Sequence, residues 1–419
     1  MGERNAMKMP GAAWLCAVVL GLGSLALFCY NIGFPATPYF DETHYVPAAR
    51  ALLARSGPVN IEHPLLAKTV IAAGMLIFGD NSFGWRLPSA LLAAVAVAAF
   101  FWIALMLLRD LRAAVLTALL LVFNQTHFIQ ARIAMLEMPM TVCILLGLGC
   151  FIRARQGGPT KRMQWELGGA IALGLAVGAK WLAIPYAILF LGWSAWEKWK
   201  DSGSEKAMLL DDILPDTMKL IMVSALTYFV TFWPAFFYLN QPMTLGNMLG
   251  FQIEMFNVQR GHMSPHPYQS VWWQWPLMLR PIWYLFERFG NSYRAVLLVG
   301  NPVIYWGGLA SIAALATRWM GKTPVALKYA LGLYTFSLAI WIVIPKEVEF
   351  SYYYNLSAIW LCLVLGAFFM SFGERGRRWL GWFTFAAGGM FLYFYPVISA
   401  QPLPIDDSWT NWVWMKSWY

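Results

Sequence analysis

Two carboxylates stand side by side early in the chain, in the segment Phe-Asp-Glu-Thr-His-Tyr. They are Asp41 and Glu42, and they follow the first long apolar run. Adjacent carboxylates repel each other, which raises the proton affinity of at least one of them and suits a general base. Alternatively, Asp41 or Thr43 could cap a helix that begins near His44. Asp41 is thus predicted to be the base, with Glu42 helping to hold the acceptor, and helix capping is the alternative.

An arginine and a glutamate lie close together where a later apolar run begins, in Ala-Arg-Ile-Ala-Met-Leu-Glu-Met-Pro-Met. A carboxylate between apolar residues is costly in a membrane unless it is paired, so an ion pair between Arg132 and Glu137 is one interpretation. The other is functional, because a planar guanidinium binds phosphate through two directed hydrogen bonds. Arg132 is therefore a candidate phosphate ligand, and Glu137 is a candidate second acidic site.

Other basic side chains could also neutralise a phosphate. His63 and Lys68 belong to Glu-His-Pro-Leu-Leu-Ala-Lys, Arg86 to Gly-Trp-Arg-Leu-Pro, and Lys180 to Gly-Ala-Lys-Trp. Basic residues at helix ends commonly extend to the membrane surface and bind nothing, which is the alternative for Lys68 and Arg86. The prediction retains His63, Lys68 and Lys180 beside Arg132 as phosphate-binding candidates.

One later segment is rich in aromatic residues and could bind a sugar or a peptide. It contains His266, Tyr268, Trp272 and Trp273. Tryptophan is enriched at every membrane surface, so an interfacial belt is the alternative for each of them. His262 and His266 could ligate a metal, but their spacing on a proline-flanked loop is weak support, and no metal site is predicted.

The composition indicates a polytopic membrane protein. Of 419 residues, 59% are hydrophobic and only 12% are charged, whereas soluble domains carry about 25% charged residues. The five cysteines lie in apolar stretches without a CxxC motif, so neither a disulfide framework nor a zinc site is expected. The net charge of +9 comes from lysine and arginine between apolar segments, which argues against a nucleic-acid partner.

Spans can be predicted from apolar length, since a membrane helix needs about 20 apolar residues. The first candidate follows Arg4 and Lys8 and is predicted to be an uncleaved helix, because no small-x-small cleavage site follows it. Two further segments, 44-55 and 63-79, are predicted to be helices along the membrane surface. The predicted spans are 11-32, 86-108, 112-129, 138-153, 166-179, 181-198, 217-239, 295-317, 328-345, 354-372 and 379-398.

The distribution of basic residues predicts the orientation. With the N-terminus in the cytoplasm, most of the 30 lysines and arginines fall in inner segments. The large loops 33-85 and 240-294 then lie outside. This predicts three parts: a catalytic membrane module over 1-239, the aromatic-rich outer loop 240-294, and a C-terminal membrane module with an outer tail over 295-419.

Eight motifs occur in order between Phe40 and Leu356. They read FDETHY, HPLLAK, GWRLPSAL, ARIAMLEMPM, GLAVGAKWLA, HPYQSVWWQWPLMLRPIWY, GNPVIYW and EFSYYYNL. Together they resemble the protein O-mannosyltransferase family. The large soluble domain that eukaryotic members carry in the 240-294 loop is absent, so the resemblance is to a bacterial member.

The resemblance implies an all-α polytopic C-class glycosyltransferase fold with about 11 membrane helices. It also implies a polyprenyl- or dolichyl-phosphate-mannose donor, serine or threonine acceptors, and no required metal or other cofactor. The paired acidic motif of the family falls on Asp41 and Glu42, and its second acidic position on Glu137. A family Tyr-His-Tyr becomes Tyr-Tyr-Tyr around Tyr353, which is retained as an acceptor- or sugar-binding candidate.

The predicted activity is therefore inverting transfer of mannose to hydroxyls of secreted proteins, at the outer face of a bacterial inner membrane. Such a reaction needs a base, positive charge at the departing phosphate and a sugar pocket. One alternative changes the acceptor to lipid A or a cell-wall glycan. Another is a transporter or lipid flippase, because Glu137 and Lys180 would also suit a substrate path.

Overall fold

The computed structural model describes residues 11–156, 158–203, 209–261, 265–316, 323–344 and 346–419. Helices dominate this part of the chain. The helices before the aromatic-rich loop are α1 Gly11–Cys29, α2 Glu42–Ala54, α3 Leu66–Phe78, α4 Ser82–Leu108, α5 Leu111–Val122, α6 Gln125–Gln130, α7 Glu137–Ala154, α8 Pro159–Ala179, α9 Ile184–Asp201 and α10 Leu214–Val230. The later helices are α11 Met248–Gln259, α12 Pro302–Ala316, α13 Val325–Val343, α14 Asn355–Met370 and α15 Gly373–Ile398.

Seven segments among the described residues are long and apolar enough to cross a membrane, and they make the chain a multi-pass membrane protein. They are Gly11–Cys29, Ser82–Leu108, Glu137–Ala154, Asp211–Phe237, Val325–Val343, Ser351–Met370 and Gly373–Ile398. Three shorter apolar helices accompany them: Leu66–Phe78, Leu111–Val122 and Pro302–Leu315. The predicted number of eleven spans stays a prediction.

Two predicted spans end early as α-helices because local hydrogen bonding competes with the helix. The span predicted over 112-129 stops at Val122, and the side chain of Asn124 then accepts a backbone N–H two residues on, which starts the short helix α6. The span predicted over 217-239 is α-helical only to Val230 and continues as a 3-10 turn.

The short span predicted over 166-179 is part of a longer helix, α8, which begins at Pro159. The neighbouring span predicted over 181-198 corresponds to α9. The two helices are separate, as predicted, because Lys180 between them has extended backbone angles of φ −160° and ψ 133°.

A small antiparallel sheet adds to the predicted all-α fold. Its strands are β1 Ile282–Phe289, β2 Ser292–Leu298 and β3 Pro402–Leu403, in the order β1-β2-β3. Gly290 forms the β1–β2 turn with φ of +58°, a conformation that glycine adopts without steric cost. The span predicted over 295-317 is corrected here, since its first residues belong to β2 and its helix begins at Pro302.

The chain divides into two compact units. The first holds the described residues of Met1–Leu15, Asp41–Ile103 and Ala134–Gly261, and the second those of Cys16–Phe40, Ala104–Ile133 and His262–Tyr419. These units interleave along the chain, unlike the consecutive parts 1-239, 240-294 and 295-419. In the second unit α14 is almost wholly buried.

Small residues let the helices of the first unit approach closely. A Cβ at Gly174 would lie 2.4 Å from the carbonyl oxygen of Ser224, and one at Gly178 would lie 2.6 Å from the Thr231 side chain. Glycine is therefore required where α8 crosses α10, as is common in membrane helix packing. The crossing fixes the end of α8, and with it the position of Lys180.

Candidate active site

Asp41 immediately precedes helix α2 but does not cap it. Its side chain accepts no capping hydrogen bond in the described part of the chain, while its backbone oxygen accepts the N–H groups of His44 and Tyr45 at 3.0 and 3.1 Å. Capping by the Asp41 side chain, the alternative to a catalytic role, is therefore wrong. The partly buried carboxylate of Asp41 remains available for chemistry.

Glu42 is committed to a buried ion pair. The Arg86 guanidinium donates from Nε to Oε1 at 2.7 Å and from Nη2 to Oε2 at 2.8 Å, and both side chains are 0% exposed. The backbone N–H of Ala134 also donates to Oε1, at 2.9 Å. This bidentate geometry fixes Glu42 firmly. Arg86 is therefore not an interfacial residue, and Glu42 is better placed to anchor Asp41 than to take part in proton transfer.

A second buried pair joins Glu137 and Lys180. The Lys180 ammonium donates to Oε1 of Glu137, and both side chains are nearly inaccessible. Glu137 is the first residue of α7, where the helix dipole favours a negative charge. The ion pair expected of Glu137 thus exists, but its cation is Lys180 and not Arg132.

The electrostatic environment of Asp41 suits a base. The pKa of Asp41 is raised to about 7, chiefly by burial and also by the negative charge of Glu137, while the positive charge of Lys180 acts to lower it. A base is most effective when its pKa lies near the working pH. Asp41, Glu137 and Lys180 therefore form one electrostatic group within the first unit, which we call the catalytic cluster.

Lys68 organises a loop. Its ammonium donates to the backbone oxygens of Asn60 at 2.6 Å and His63 at 2.7 Å, and that of Val59 lies at 3.5 Å. The side chain is buried, so its protons are directed at the backbone. Backbone carbonyls compete with a phosphate for this cation, and the phosphate-binding role of Lys68 and His63 stays a prediction.

Arg132 caps the end of a helix in the second unit. Its Nη1 donates to the backbone oxygens of Phe28 at 2.8 Å and Tyr30 at 2.6 Å, where α1 ends. Its guanidinium also lies 5.1 Å from the ring centre of Phe128. A cation at a helix C-terminus is stabilised by the unsatisfied carbonyls there. This structural role was not predicted, and phosphate binding by Arg132 remains untested.

The predicted aromatic residues occupy the second unit. The His266 ring lies 5.1 Å from that of Phe350, and its Nδ1 accepts the backbone N–H of Tyr268. Trp272 begins a short 3-10 turn, and Trp273 is about half exposed. His262 lies outside the described residues.

Two aromatic rings and a lysine contact the ring of Tyr353. Trp341 stacks on it with ring centres 4.5 Å apart and an interplanar angle of 10°, and the Lys346 ammonium lies 5.2 Å from the ring centre. Trp275 meets the same ring edge-on. Tyr353 thus belongs to an aromatic cluster with Trp341 and Trp275. Sugar or acceptor binding by Tyr353 stays a prediction.

A polar cavity in the second unit was not predicted from the sequence. The cavity has a volume of about 250 Å³ and is lined by Gln269, Ser270, Val271, Gln274, Lys346, Glu347 and Glu349. The pKa of Glu349 is raised to about 7, chiefly by burial, while the positive charge of Lys346 acts to lower it. One sequence feature could have indicated the cavity: Glu349 stands between a valine and a phenylalanine, next to a run of tyrosines.

An apolar groove was also missed. It has a volume of about 620 Å³, lies in the first unit, and is formed mainly by α9 and α10. Trp181 lines one part of it and directly follows Lys180. The Trp181 indole N–H donates to the Tyr228 hydroxyl at 3.0 Å, and that hydroxyl donates to Gln252. The remaining wall is mostly aliphatic and includes Val177, Ile184, Ile188, Leu191, Ile221 and Ala225.

Family comparison decides what kind of protein carries this cluster. Residues 18–244 match the family described as dolichyl-phosphate-mannose-protein mannosyltransferase, and residues 244–418 match the C-terminal four TMM region of protein-O-mannosyltransferase. The chain belongs to this family. It is therefore a glycosyltransferase, as predicted, and the transporter alternative is not supported.

Named relatives cover nearly the whole chain. The polyprenol-phosphate-mannose–protein mannosyltransferase of Mycobacterium tuberculosis is 25% identical over 97% of this chain and 92% of that protein. That of Mycolicibacterium smegmatis strain MKD8 is 23% identical over 96% and 92%. An undecaprenyl phosphate-alpha-4-amino-4-deoxy-L-arabinose arabinosyl transferase 2 of Pseudomonas fluorescens is 28% identical, but over only 48% of this chain and 37% of that protein.

Solved structures confirm the C-class glycosyltransferase fold. The Saccharomyces cerevisiae protein O-mannosyltransferase Pmt1-Pmt2 complex bound to the sugar donor has a TM-score of 0.82 at 13% identity, covering 95% of this chain and 91% of that chain. ArnT from Cupriavidus metallidurans in the apo state has a TM-score of 0.52 at 16% identity, covering 87% and 62%. At these identities the likeness concerns the fold alone.

Proposed function

We propose that this chain transfers mannose from polyprenyl-phosphate-mannose to a serine or threonine hydroxyl of a protein, with inversion at the anomeric carbon. The observation that carries the proposal is the catalytic cluster: Asp41 has a pKa near neutrality and lies in the field of the buried Glu137–Lys180 pair. The names of the mycobacterial relatives support the donor and the protein acceptor.

The reaction follows from the charges of the cluster. The acceptor oxygen attacks the anomeric carbon of mannose while Asp41 takes the hydroxyl proton, and the bond from that carbon to the phosphate oxygen breaks. The electron pair leaves with the polyprenyl phosphate, whose negative charge the Lys180 ammonium would stabilise. A single displacement of this kind inverts the anomeric centre. Glu137 holds Lys180 in place.

The apolar groove would take the first isoprenoid units of the donor. Its wall is almost entirely apolar, and Trp181 connects it along the chain to Lys180. A lipid phosphate bound near Lys180 would thus place its chain against α9 and α10. Burial of apolar surface would then contribute to donor affinity.

The reaction is proposed to occur at the outer face of a bacterial inner membrane. The excess of basic residues in the segments that the prediction places inside, together with bacterial relatives, supports this location. Loops 33-85 and 240-294 would then face outward.

A transfer assay tests the proposal. The purified protein in lipid nanodiscs is incubated with radiolabelled polyprenyl-phosphate-mannose and a peptide rich in serine and threonine. Label is expected in the peptide and should be released by β-elimination. A matched peptide with alanine at every serine and threonine should stay unlabelled, and a chelator should leave the rate unchanged because no metal is expected to take part.

Two results of this assay would count against the proposal. If lipid A or a cell-wall glycan is added to the same assay, label that moved to it and not to the peptide would favour the alternative acceptor. Activity that a chelator removed and added divalent cations restored would contradict the expected metal independence.

A further inference from the structure

Helix α11, Met248–Gln259, is apolar on two faces. Its inner face packs into a hydrophobic core of the first unit, where Met255 is fully buried beside Phe232 and Met243. Phe251 packs against the same hydrophobic core. This contact explains one apolar face and leaves the other without a protein cover among the described residues of the first unit.

The second apolar face is exposed. Leu249, Ile253 and Phe256 are 67%, 62% and 50% exposed, and they follow one another at i, i+4 and i+7, so they lie along one side of the helix. Leu245, just before the helix, is 82% exposed. A contiguous apolar surface of this kind is unfavourable in water and indicates contact with a partner or a membrane.

The position of α11 identifies the bilayer as the partner. The helix packs against the end of α10, with the rings of Phe251 and Phe232 6.1 Å apart and Gln252 bonded to Tyr228. α10 belongs to Asp211–Phe237, a segment apolar and long enough to cross a membrane. After α10 the exposed apolar surface continues through Trp233 and Phe237 toward α11.

The charge at the edge of the exposed face also fits a membrane surface. The Arg260 guanidinium lies 5.5 Å from the ring centre of Phe256, at the C-terminal end of the apolar stripe. Glu254 is exposed on another side of the helix, about 130° around the axis from the middle of the stripe. A helix with an apolar face, a polar face and a flanking cation suits the boundary between acyl chains and anionic headgroups.

We propose that α11 lies in the plane of the membrane surface, with Leu249, Ile253 and Phe256 among the lipid acyl chains. The side with Glu254 faces water. Through Gln252 and Tyr228 this anchored helix is hydrogen-bonded to Trp181, the residue next to Lys180. The location of α11 does not depend on which sugar or acceptor the enzyme uses.

Depth-dependent quenching tests the proposal. An environment-sensitive fluorescent amino acid is placed by codon suppression at position 253, in the full chain reconstituted in nanodiscs that contain anionic lipid. Lipids brominated on the acyl chain should quench this probe, and iodide in the water phase should not. The same probe at position 254 is the matched control and should show the reverse pattern.

Each other outcome overturns the proposal. A probe at 253 that iodide quenches as strongly as the one at 254 lies in water. A probe protected from both quenchers is covered by protein, such as a second copy of the chain. If the variant at 253 does not fold, which thermal unfolding reveals, the probe at position 249 takes its place, and the same two readings apply.

Discussion

Replacement of Asp41 with asparagine is expected to slow mannosyl transfer by about 100- to 10,000-fold, the usual contribution of a general base. Asparagine has nearly the same size and cannot accept the hydroxyl proton. Because the Asp41 side chain caps no helix in the described part of the chain, the protein should keep its unfolding temperature. The rate is measured in a single turnover with saturating labelled donor.

A second carboxylate in the same predicted loop provides the control. Asp80 is about half exposed and accepts hydrogen bonds from Arg50 and Trp85. Asp80→Asn removes a negative charge of the same kind at a site without a proposed role, so transfer should stay close to that of the wild type. A normal rate for Asp41→Asn would exclude Asp41 as the base.

Arg86→Met is expected to destabilise the protein by about 3 to 5 kcal/mol, because it leaves the carboxylate of Glu42 buried without its cation. Both partners are 0% exposed, so water cannot replace the lost hydrogen bonds. Thermal unfolding in detergent should show a clear decrease in midpoint. The double variant Arg86→Met with Glu42→Gln should recover part of the loss, since the unpaired charge is gone.

An exposed pair in the same unit is the matched control. Arg50 and Asp80 are each 47% exposed, and pairs of this kind contribute about 0 to 1 kcal/mol. Arg50→Met should therefore change the unfolding midpoint far less than Arg86→Met. Equal effects of the two substitutions would mean that the buried pair does not anchor the Asp41 segment.

Hydropathy predicted most of the helices because membrane spans must be apolar along their length. Hydropathy did not predict the sheet, because it does not distinguish an apolar strand from the start of a membrane span. The second half of β2, residues 295–298, is entirely apolar, and the prediction began a span at 295. Gly290 and Asn291, between two aromatic runs, are nevertheless a typical hairpin signal. The turn residues thus indicated a hairpin, but the prediction followed hydropathy and placed a membrane span there.

The residues of the site were predicted, but the ion pairs that they form were not. Glu137 and Lys180 were both candidates, yet 43 positions separate them, and no local pattern indicates which distant cation a buried carboxylate will meet. Arg132, nearer in sequence, instead satisfies the carbonyls at the end of α1. Arg86 was interpreted as interfacial because burial of its ion pair depends on tertiary packing.

The pH dependence of transfer tests most directly whether Asp41 is the base. A base must be deprotonated to act, so kcat/KM should rise about tenfold per pH unit below the pKa of Asp41, which is about 7, and level off above it. Burial also raises the pKa of Glu349 to about 7, so Glu349→Gln is the control and should leave the profile unchanged. A wild-type kcat/KM that stays constant from about pH 5 to pH 8 would contradict this assignment.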